Sequence, residues 1–232
     1  MEVAMVHSPA RVTAPVSTDW PLLRSLSDEE RAELLAVARQ HSYDRGEVVC
    51  REGDRADALH LVGAGRLAVT SSLPSGATAM LKVLGRGDYF GELALLQPAS
   101  RRTATVHALE PAVTLALEGR AFRRLCQSRP RVEHALTVLL ADQVEALSRH
   151  LVEALYEGLD VRVHRRLGEL CRIYRDGGGS VELPLTQTQL AELVGGTRPS
   201  VNQVLQRLEQ QGAVMLGRGR VTVLDPTLFG PG

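Results

Sequence analysis

The most informative part of the sequence is Phe90-Gly91-Glu92-Leu93-Ala94-Leu95-Leu96, followed after a short polar break by Arg101-Arg102-Thr103-Ala104-Thr105-Val106. It lies in a segment, from Gly46 to about Glu118, where short alternating apolar and polar runs are separated by glycines. Several short strands at steady spacing predict a small barrel or jelly roll. A glycine, a carboxylate, a guanidinium and a hydroxyl in such a segment suit a small ligand that carries one phosphate beside a ribose hydroxyl.

Each residue type in this stretch has a chemical reason. Arg102 offers a planar fork of donors for phosphate oxygens, and Thr103 adds a hydroxyl donor. Gly91 lets the backbone approach a ligand closely, and the N–H groups from Gly91 through Leu93 to Ala94 can form an anion-binding nest. Glu92 would repel phosphate, so its acceptor role falls on the ribose 2′-hydroxyl. The alternative is a buried Glu92–Arg102 ion pair without any ligand.

Arg101 and Arg102 are adjacent, so in an extended segment they point to opposite faces. Only one of them can then line a pocket. This favours a ligand with a single phosphate over a dinucleotide with two, and it leaves Arg101 as a solvated surface charge.

Helical signals flank the roll. Residues 1–18 carry prolines and small polar residues and are expected to form a loose arm. Ser27 and Glu30 form a capping-box signature for a helix that is expected to run to about Gln40. A helix of about 28 residues and about 40 Å is predicted from Pro130. Its apolar stripe favours a two-stranded coiled coil over a single core helix, and the stripe comprises Leu136, Leu140, Val144, Leu147, Leu151 and Leu155.

The C-terminal part predicts a winged helix-turn-helix. Gly158 ends the long helix, and Asp160 is expected to cap the next one. A helix at 188–194, a Gly195-Gly196 turn and a second helix capped by Thr197 then follow. Pro199 fits the first turn of that helix, where backbone N–H groups have no intrahelical partner. Runs at 215–216 and 221–224 predict a hairpin with a basic tip.

Composition limits the remaining classes of protein. The 232 residues suit two domains, and 44% hydrophobic and 23% charged residues are ordinary for a globular chain. The formal net charge of +0 is a weak argument against nucleic acid, because DNA binding needs only a local positive patch. No run of about 18 apolar residues and no signal-peptide pattern occur, so no membrane span is expected. Three widely spaced cysteines without metal-ligand spacing indicate reduced thiols in a cytoplasm, and no nucleophile–base pair indicates an enzyme.

The ligand motif also carries a family resemblance. Gly91-Glu92-Leu93-Ala94 followed by Arg102-Thr103-Ala104 resembles the phosphate-binding cassette of cyclic-nucleotide-binding domains. With the long helix and the C-terminal DNA reader, the chain resembles the cyclic-AMP receptor protein (Crp/Fnr) family from about Leu23 to Leu224. The resemblance implies an α+β fold with an N-terminal cyclic-nucleotide-binding β-roll, a long dimerisation helix and a C-terminal winged helix-turn-helix. The expected divisions are an arm at 1–18, a nucleotide-binding domain at 19–129, the dimerisation helix at 130–158 and the DNA-binding domain at 159–232.

The resemblance implies a cytoplasmic homodimeric transcription regulator in which cyclic AMP controls DNA binding. In the family the base meets polar residues on the long helix, and a Thr-Ser pair holds that place in the best-known cyclic-AMP receptor. Here Arg149 and His150 fall there, and Lys82 lies on the strand that faces the base. These bulkier residues leave two alternatives open: a constitutive regulator, or one that senses another ligand such as cyclic GMP or cyclic di-GMP. A nucleotide-binding subunit that docks on another protein is the rival from a different class.

The resemblance also implies how DNA is read. Arg198, at the start of the second helix, is the candidate for a bidentate guanine contact. The second basic contact and the acidic contact of the best-known member are replaced by Gln203 and Pro199, so its operator does not transfer. A palindromic double-stranded operator and RNA polymerase are the implied partners. The further candidate DNA contacts are Gln187, Gln189, Thr197, Ser200, Asn202, Gln203, Arg218 and Arg220.

Overall fold

A computed structural model describes residues 20–24, 26–72, 74–97, 100–175 and 177–230. The predicted arm at 1–18 lies outside the described residues. None of the helices in the described ranges combines the length and the apolar character that crossing a membrane requires.

The described residues form two compact units. The first contains the chain up to Val69 together with Leu84–Leu139, and the second contains Thr70–Val83 and the chain from Leu140 onward. The phosphate-binding motif lies in the first unit, and the helix-turn-helix lies in the second.

In the described part of the chain, eight strands build the predicted jelly roll in two four-stranded sheets. One sheet has the order β1-β8-β3-β6 and the other β2-β7-β4-β5. Strand β3 pairs antiparallel with β8 along most of its length, with an irregularity between Val62 and Ala64. The strands are β1 (Arg39–Tyr43), β2 (Val48–Cys50), β3 (Ala58–Ala64), β4 (Leu67–Ser72), β5 (Thr78–Leu84), β6 (Tyr89–Phe90), β7 (Thr105–Ala108) and β8 (Ala112–Glu118).

An apolar core lies among the strands that carry the ligand motif. Val62, Leu67, Phe90 and Val106 are buried together there, because alternate residues of each strand point to the same face. The sequence Gly85-Arg86-Gly87-Asp88 forms a tight turn, in which the Asp88 N–H donates to the Gly85 carbonyl at 3.1 Å.

Short helices surround the roll: α1 (Pro21–Arg24), α2 (Asp28–Ala36), α3 (Leu93–Leu96) and α4 (Gly119–Ser128). The capping box of Ser27 and Glu30 is confirmed. The expectation that α2 runs to about Gln40 is wrong, because Arg39 already pairs with Ala116 in the sheet. Sheet pairing therefore overrides the helical character of this segment.

The long helix α5 spans Pro130–Tyr156, close to the predicted range. Its predicted stripe changes environment along its length. Leu136 is buried, whereas Val144, Leu147, Leu151 and Leu155 are 58–68% exposed. The C-terminal half of α5 thus presents an apolar face that the described residues do not cover.

The C-terminal part is a winged helix-turn-helix, as predicted. Its elements are α6 (Leu159–Tyr174), β9 (Val181–Leu183), α7 (Gln187–Val194), α8 (Arg198–Gln210), β10 (Val214–Gly217) and β11 (Arg220–Val223), and a 3₁₀ helix at Pro226–Phe229 follows. The three strands pair in the order β10-β11-β9. The expectation that Asp160 caps α6 is wrong: Gly158 occupies the N-cap, and the Asp160 carboxylate accepts from Arg207 at 2.5 Å instead.

Candidate ligand-binding and DNA-binding sites

Gly91 and Arg102 come together at the end of β6. Gly91 has φ +82°, a conformation that glycine adopts without the steric penalty of a side chain. A Cβ at this position would lie 2.0 Å from Nη1 of Arg102 and 2.9 Å from the Ala58 carbonyl oxygen. The backbone at Gly91 therefore lies directly against the guanidinium, and a larger residue would displace it.

The segment that carries Arg102 is held by a short ladder of backbone hydrogen bonds. The Ala56 N–H donates to Ser100, and the Arg102 N–H donates to Asp54, both at 2.8 Å. Arg101 is exposed and donates to the Gly53 carbonyl at 2.7 Å, whereas Arg102 is buried. The prediction that these two arginines point to opposite faces is confirmed.

The guanidinium of Arg102 is buried with little compensation. The side chain is 6% exposed, and Nε and Nη1 have no hydrogen-bond partner among the described residues. Its ion pair, between Nη2 and Oδ1 of Asp57, is 4.0 Å long, and that carboxylate is 76% exposed. The pairing with Glu92 that the sequence left open is thus not the one observed. Because an unpaired buried charge is costly, the site suits an incoming anion with acceptor oxygens.

The remaining motif residues lie on α3 and beside Arg102. Glu92 and Leu93 are half-buried, Ala94 is buried and Thr103 is exposed. From α4, Arg123 donates to the Leu95 carbonyl at 3.1 Å and holds the end of α3.

Ser100 is a candidate that sequence reasoning missed. It has a buried hydroxyl without a hydrogen-bond partner among the described residues. Nothing in the sequence distinguishes it from the exposed hydroxyl of Thr103.

A neutral histidine lies near the arginine. His60 is buried, stacks on Phe90 with ring centroids 4.8 Å apart, and has Nδ1 3.1 Å from the Thr114 hydroxyl. Burial, and then the positive charge of Arg102, lowers the pKa of His60 to about 3. The histidine is therefore uncharged at neutral pH and adds no second cation to the roll.

The three residues predicted to face the base lie in the second unit. Lys82 is exposed on β5. Arg149 is exposed and pairs with Glu145 at 2.7 Å, one helical turn away. His150 is half-buried, with Nε2 3.9 Å from a Glu169 carboxylate oxygen, and burial lowers its pKa.

The helix-turn-helix is held by contacts that the sequence partly predicted. Thr197 caps α8 by accepting from the Ser200 N–H at 3.3 Å, and Pro199 lies in the first turn, as expected. Arg162 on α6 donates to the Val194 carbonyl at 2.9 Å and so satisfies the end of α7. A Cβ on Gly196 would come within 2.9 Å of Leu159, so α6 packs closely against the turn.

The predicted DNA contacts lie at the start of α7, along the start of α8 and at the wing. Arg198 is exposed and has no hydrogen bond or ion pair to any described residue. Arg218 is exposed at the hairpin tip, whereas Arg220 lies 3.7 Å from Glu182. Thr197 and Gln203 are exposed. Gln187, Ser200 and Asn202 are half-buried.

Two polar residues of this region have structural roles. The amide oxygen of Gln189 accepts from the Thr186 N–H in a capping box of α7, which leaves only its amide donors for a phosphate. Arg207 binds Asp160 and links α8 to α6. Sequence reasoning missed this anchor because the two residues are far apart in the chain.

Comparison with known proteins agrees with both predicted domains. The model of the cyclic nucleotide-binding domain matches residues 40–129, and that of the Crp-like helix-turn-helix domain matches 161–228. The cyclic AMP receptor protein of Thermus thermophilus is 31% identical over 209 residues, which cover 90% of this chain and 94% of that protein. The CRP-like cAMP-activated global transcriptional regulator of Mycobacterium tuberculosis is 27% identical and covers 79% and 83%.

Among solved structures, the c-di-GMP-responsive global regulator CLP of Xanthomonas campestris superposes with a TM-score of 0.71. It covers 86% of this chain and 100% of that one at 21% identity, which shows a common fold. The chain belongs to the cyclic-AMP receptor protein (Crp/Fnr) family. It is a ligand-responsive transcription regulator with a cyclic-nucleotide-binding domain and a DNA-binding helix-turn-helix.

Proposed function

We propose that cyclic AMP is the ligand, that its phosphate binds Arg102, and that this binding controls operator recognition by α8. The observation that carries the proposal is the buried guanidinium of Arg102, with two nitrogens that no described residue satisfies. A cyclic phosphate supplies acceptor oxygens and one negative charge, which this geometry needs. The names of the Thermus and Mycobacterium relatives, which refer to cyclic AMP, support the choice of nucleotide.

The other motif residues receive roles around this anchor. Backbone groups from Gly91 to Ala94 and the Thr103 hydroxyl are assigned to the phosphate, and Glu92 to the ribose. Lys82, Arg149 and His150 are assigned to the base. The ligand shifts the protein toward the DNA-binding state only as far as it binds that state better.

Calorimetric titration with cyclic AMP, cyclic GMP and cyclic di-GMP tests the identity of the ligand. The expected result is saturable heat with cyclic AMP at one site per chain and weaker heats with the other two. Stronger binding of cyclic GMP or cyclic di-GMP would identify that nucleotide as the ligand instead of cyclic AMP. Silence with all three would favour a constitutive regulator.

The exposed face of α5 supports a homodimer. Val144, Leu147, Leu151 and Leu155 follow helical spacing and are solvent-exposed in the single chain, which suits a two-stranded coiled coil. Replacing Leu147 by Lys is expected to give monomers in analytical ultracentrifugation. As a control, the same replacement by Lys at Thr137, an exposed residue outside this stripe, is expected to leave the dimer intact.

The dimer is assigned to a palindromic operator. Two copies of α8 entering successive major grooves require half-sites about 34 Å apart. Selection of binding sites from random double-stranded DNA is expected to return inverted repeats, whereas unrelated or single sites would contradict a symmetric reader. We place this regulator in the cytoplasm with RNA polymerase as a partner at the promoter.

A further inference from the structure

The carboxylate of Asp57 is the acid that faces the phosphate-binding arginine. Its Oδ1 lies 4.0 Å from Nη2 of Arg102, while Nε and Nη1 of the same guanidinium have no hydrogen-bond partner among the described residues. The distance is at the upper limit for an ion pair, so Asp57 offsets part of the charge without satisfying the group. Asp57 makes no other side-chain hydrogen bond or ion pair with a described residue.

We propose that Asp57 is a competing carboxylate that weakens the binding of a phosphate ligand at Arg102 and sets its dependence on salt. The three nitrogens belong to one planar group, so an anion on Nε and Nη1 lies beside the carboxylate. The bound phosphate and the Asp57 carboxylate would then repel each other across the guanidinium. The carboxylate also attracts the same cation that binds the phosphate. This inference rests on the proposed binding of a nucleotide phosphate at Arg102.

The position of Asp57 suits a side chain that ligand binding can displace. Its backbone is fixed, because its carbonyl accepts from the Gly119 N–H at 2.8 Å and β3 begins at the next residue. Its side chain is 76% exposed, so the carboxylate can turn into water without losing a buried contact. Arg102 is 6% exposed and has no such freedom. The ligand therefore meets a fixed cation and a movable anion.

The test compares Asp57→Asn with Asp54→Asn in the full chain. Both variants remove one negative charge from the same loop. The Asp54 carboxylate instead accepts from the Arg51 N–H at 2.8 Å, a contact that an asparagine oxygen can keep. Each protein is titrated calorimetrically with cyclic AMP, cyclic GMP and cyclic di-GMP at low and high salt, and with adenosine as a ligand without phosphate.

Asp57→Asn is expected to bind the phosphate ligand about two- to fivefold more tightly than the parent, the range of an exposed ion pair. The gain is expected to shrink near 1 M salt, where the Debye length falls to about 3 Å. The affinity of Asp57→Asn for adenosine is expected to stay within about twofold of the parent's, because adenosine has no phosphate. The affinity of Asp54→Asn for the nucleotide is expected to stay within the same range, because this variant keeps the charge that faces a phosphate on Arg102.

Four outcomes overturn the inference: unchanged affinity, weaker affinity, an equal gain in Asp54→Asn, or an equal gain for adenosine. If the parent binds a nucleotide and one of these occurs, the inference fails while the proposed function stands. If neither the parent nor Asp57→Asn binds any of the three nucleotides, both fail together.

Discussion

Two arginine side chains, Arg102 in the roll and Arg198 at the start of α8, make no hydrogen bond to any described residue, but they lie in opposite environments. Arg102 is 7% exposed and pressed against Gly91, whereas Arg198 is exposed on a helix surface. A buried cation without full compensation is unfavourable until an anion of the right shape arrives. An exposed cation is solvated, so its side chain can contact different DNA groups at little cost in free energy. The roll is therefore suited to one small anion, and the start of α8 is suited to the surface of a larger partner.

Removing the buried cation is expected to have the largest effect. Arg102→Ala is predicted to weaken cyclic AMP binding by roughly 100-fold or more, because at least two charge-assisted hydrogen bonds are lost. Its unfolding midpoint is expected to equal or exceed that of the parent, since a buried charge that Asp57 compensates only in part disappears. Isothermal titration calorimetry and thermal melts measure both effects.

Arg101→Ala is the matched control, because it removes the adjacent but exposed guanidinium. Its affinity for cyclic AMP is expected to stay within about twofold of the parent. Equal losses in the two variants would show that net charge, rather than the buried position, determines binding.

Removing the exposed cation is expected to weaken DNA binding and to leave ligand binding unchanged. Arg198→Ala is predicted to lose roughly 10- to 100-fold in affinity for the selected operator, the size of one bidentate base contact. Binding of cyclic AMP is expected to be unchanged. Fluorescence anisotropy with labelled DNA measures the loss, and Gln210→Ala, at the other end of α8, is the control. An Arg198→Ala protein that keeps full operator affinity would remove this residue from the interface.

A methyl group at Gly91 tests the close approach between the backbone and Arg102. Gly91→Ala is expected to cost about 1–3 kcal/mol of unfolding free energy, because it combines a strained φ with a collision at Nη1. It is also expected to weaken nucleotide binding. Gly76→Ala is the matched control, since Gly76 has the same φ of +82° and open space around its Cα. The strained φ predicts a loss of stability in both variants. The collision with Arg102 predicts weaker nucleotide binding only in Gly91→Ala.

The last expected effect is a dependence of stability on pH. The folded pKa of His60 is about 3, below the ordinary value near 6.5, so the unfolded chain takes up a proton that the folded chain refuses. Stability from this residue is full above about pH 6.5 and falls as the pH drops toward 3. Denaturant unfolding between pH 7 and 4.5 is expected to show a shallower decline in His60→Gln. The same replacement at exposed His134 is expected to leave the slope unchanged, and equal slopes in parent and His60→Gln would contradict the buried neutral state.

Local chemistry made much of this fold predictable from sequence. Ser27 with Glu30, and Thr197 with Pro199, determine helix starts through hydrogen bonds that involve only near neighbours. The glycine-rich turn before β6 and the basic hairpin after α8 depend on backbone conformations that few residues allow.

The features that were missed depend on distant partners. Strand β9 has three residues and exists by pairing with β11. Helix α4 has no side-chain cap, so no local signal marks its start. Asp160 prefers Arg207, which lies 47 residues away, to the cap that its position suggested. The candidate site shows the same limit. The sequence motif indicated Arg102, but nothing in the sequence indicated that Asp57 would face it.

In the proposed function, a phosphate bound at Arg102 controls the reading of DNA by Arg198. The most direct test measures the affinity of the full chain for its selected operator with and without saturating cyclic AMP, in the parent and in Arg102→Ala. We expect cyclic AMP to raise the operator affinity of the parent by roughly 5- to 150-fold, the usual range of allosteric coupling, and to leave the operator affinity of Arg102→Ala unchanged. An operator affinity that is the same with and without cyclic AMP in the parent, or an equal rise in the variant, would contradict this expectation.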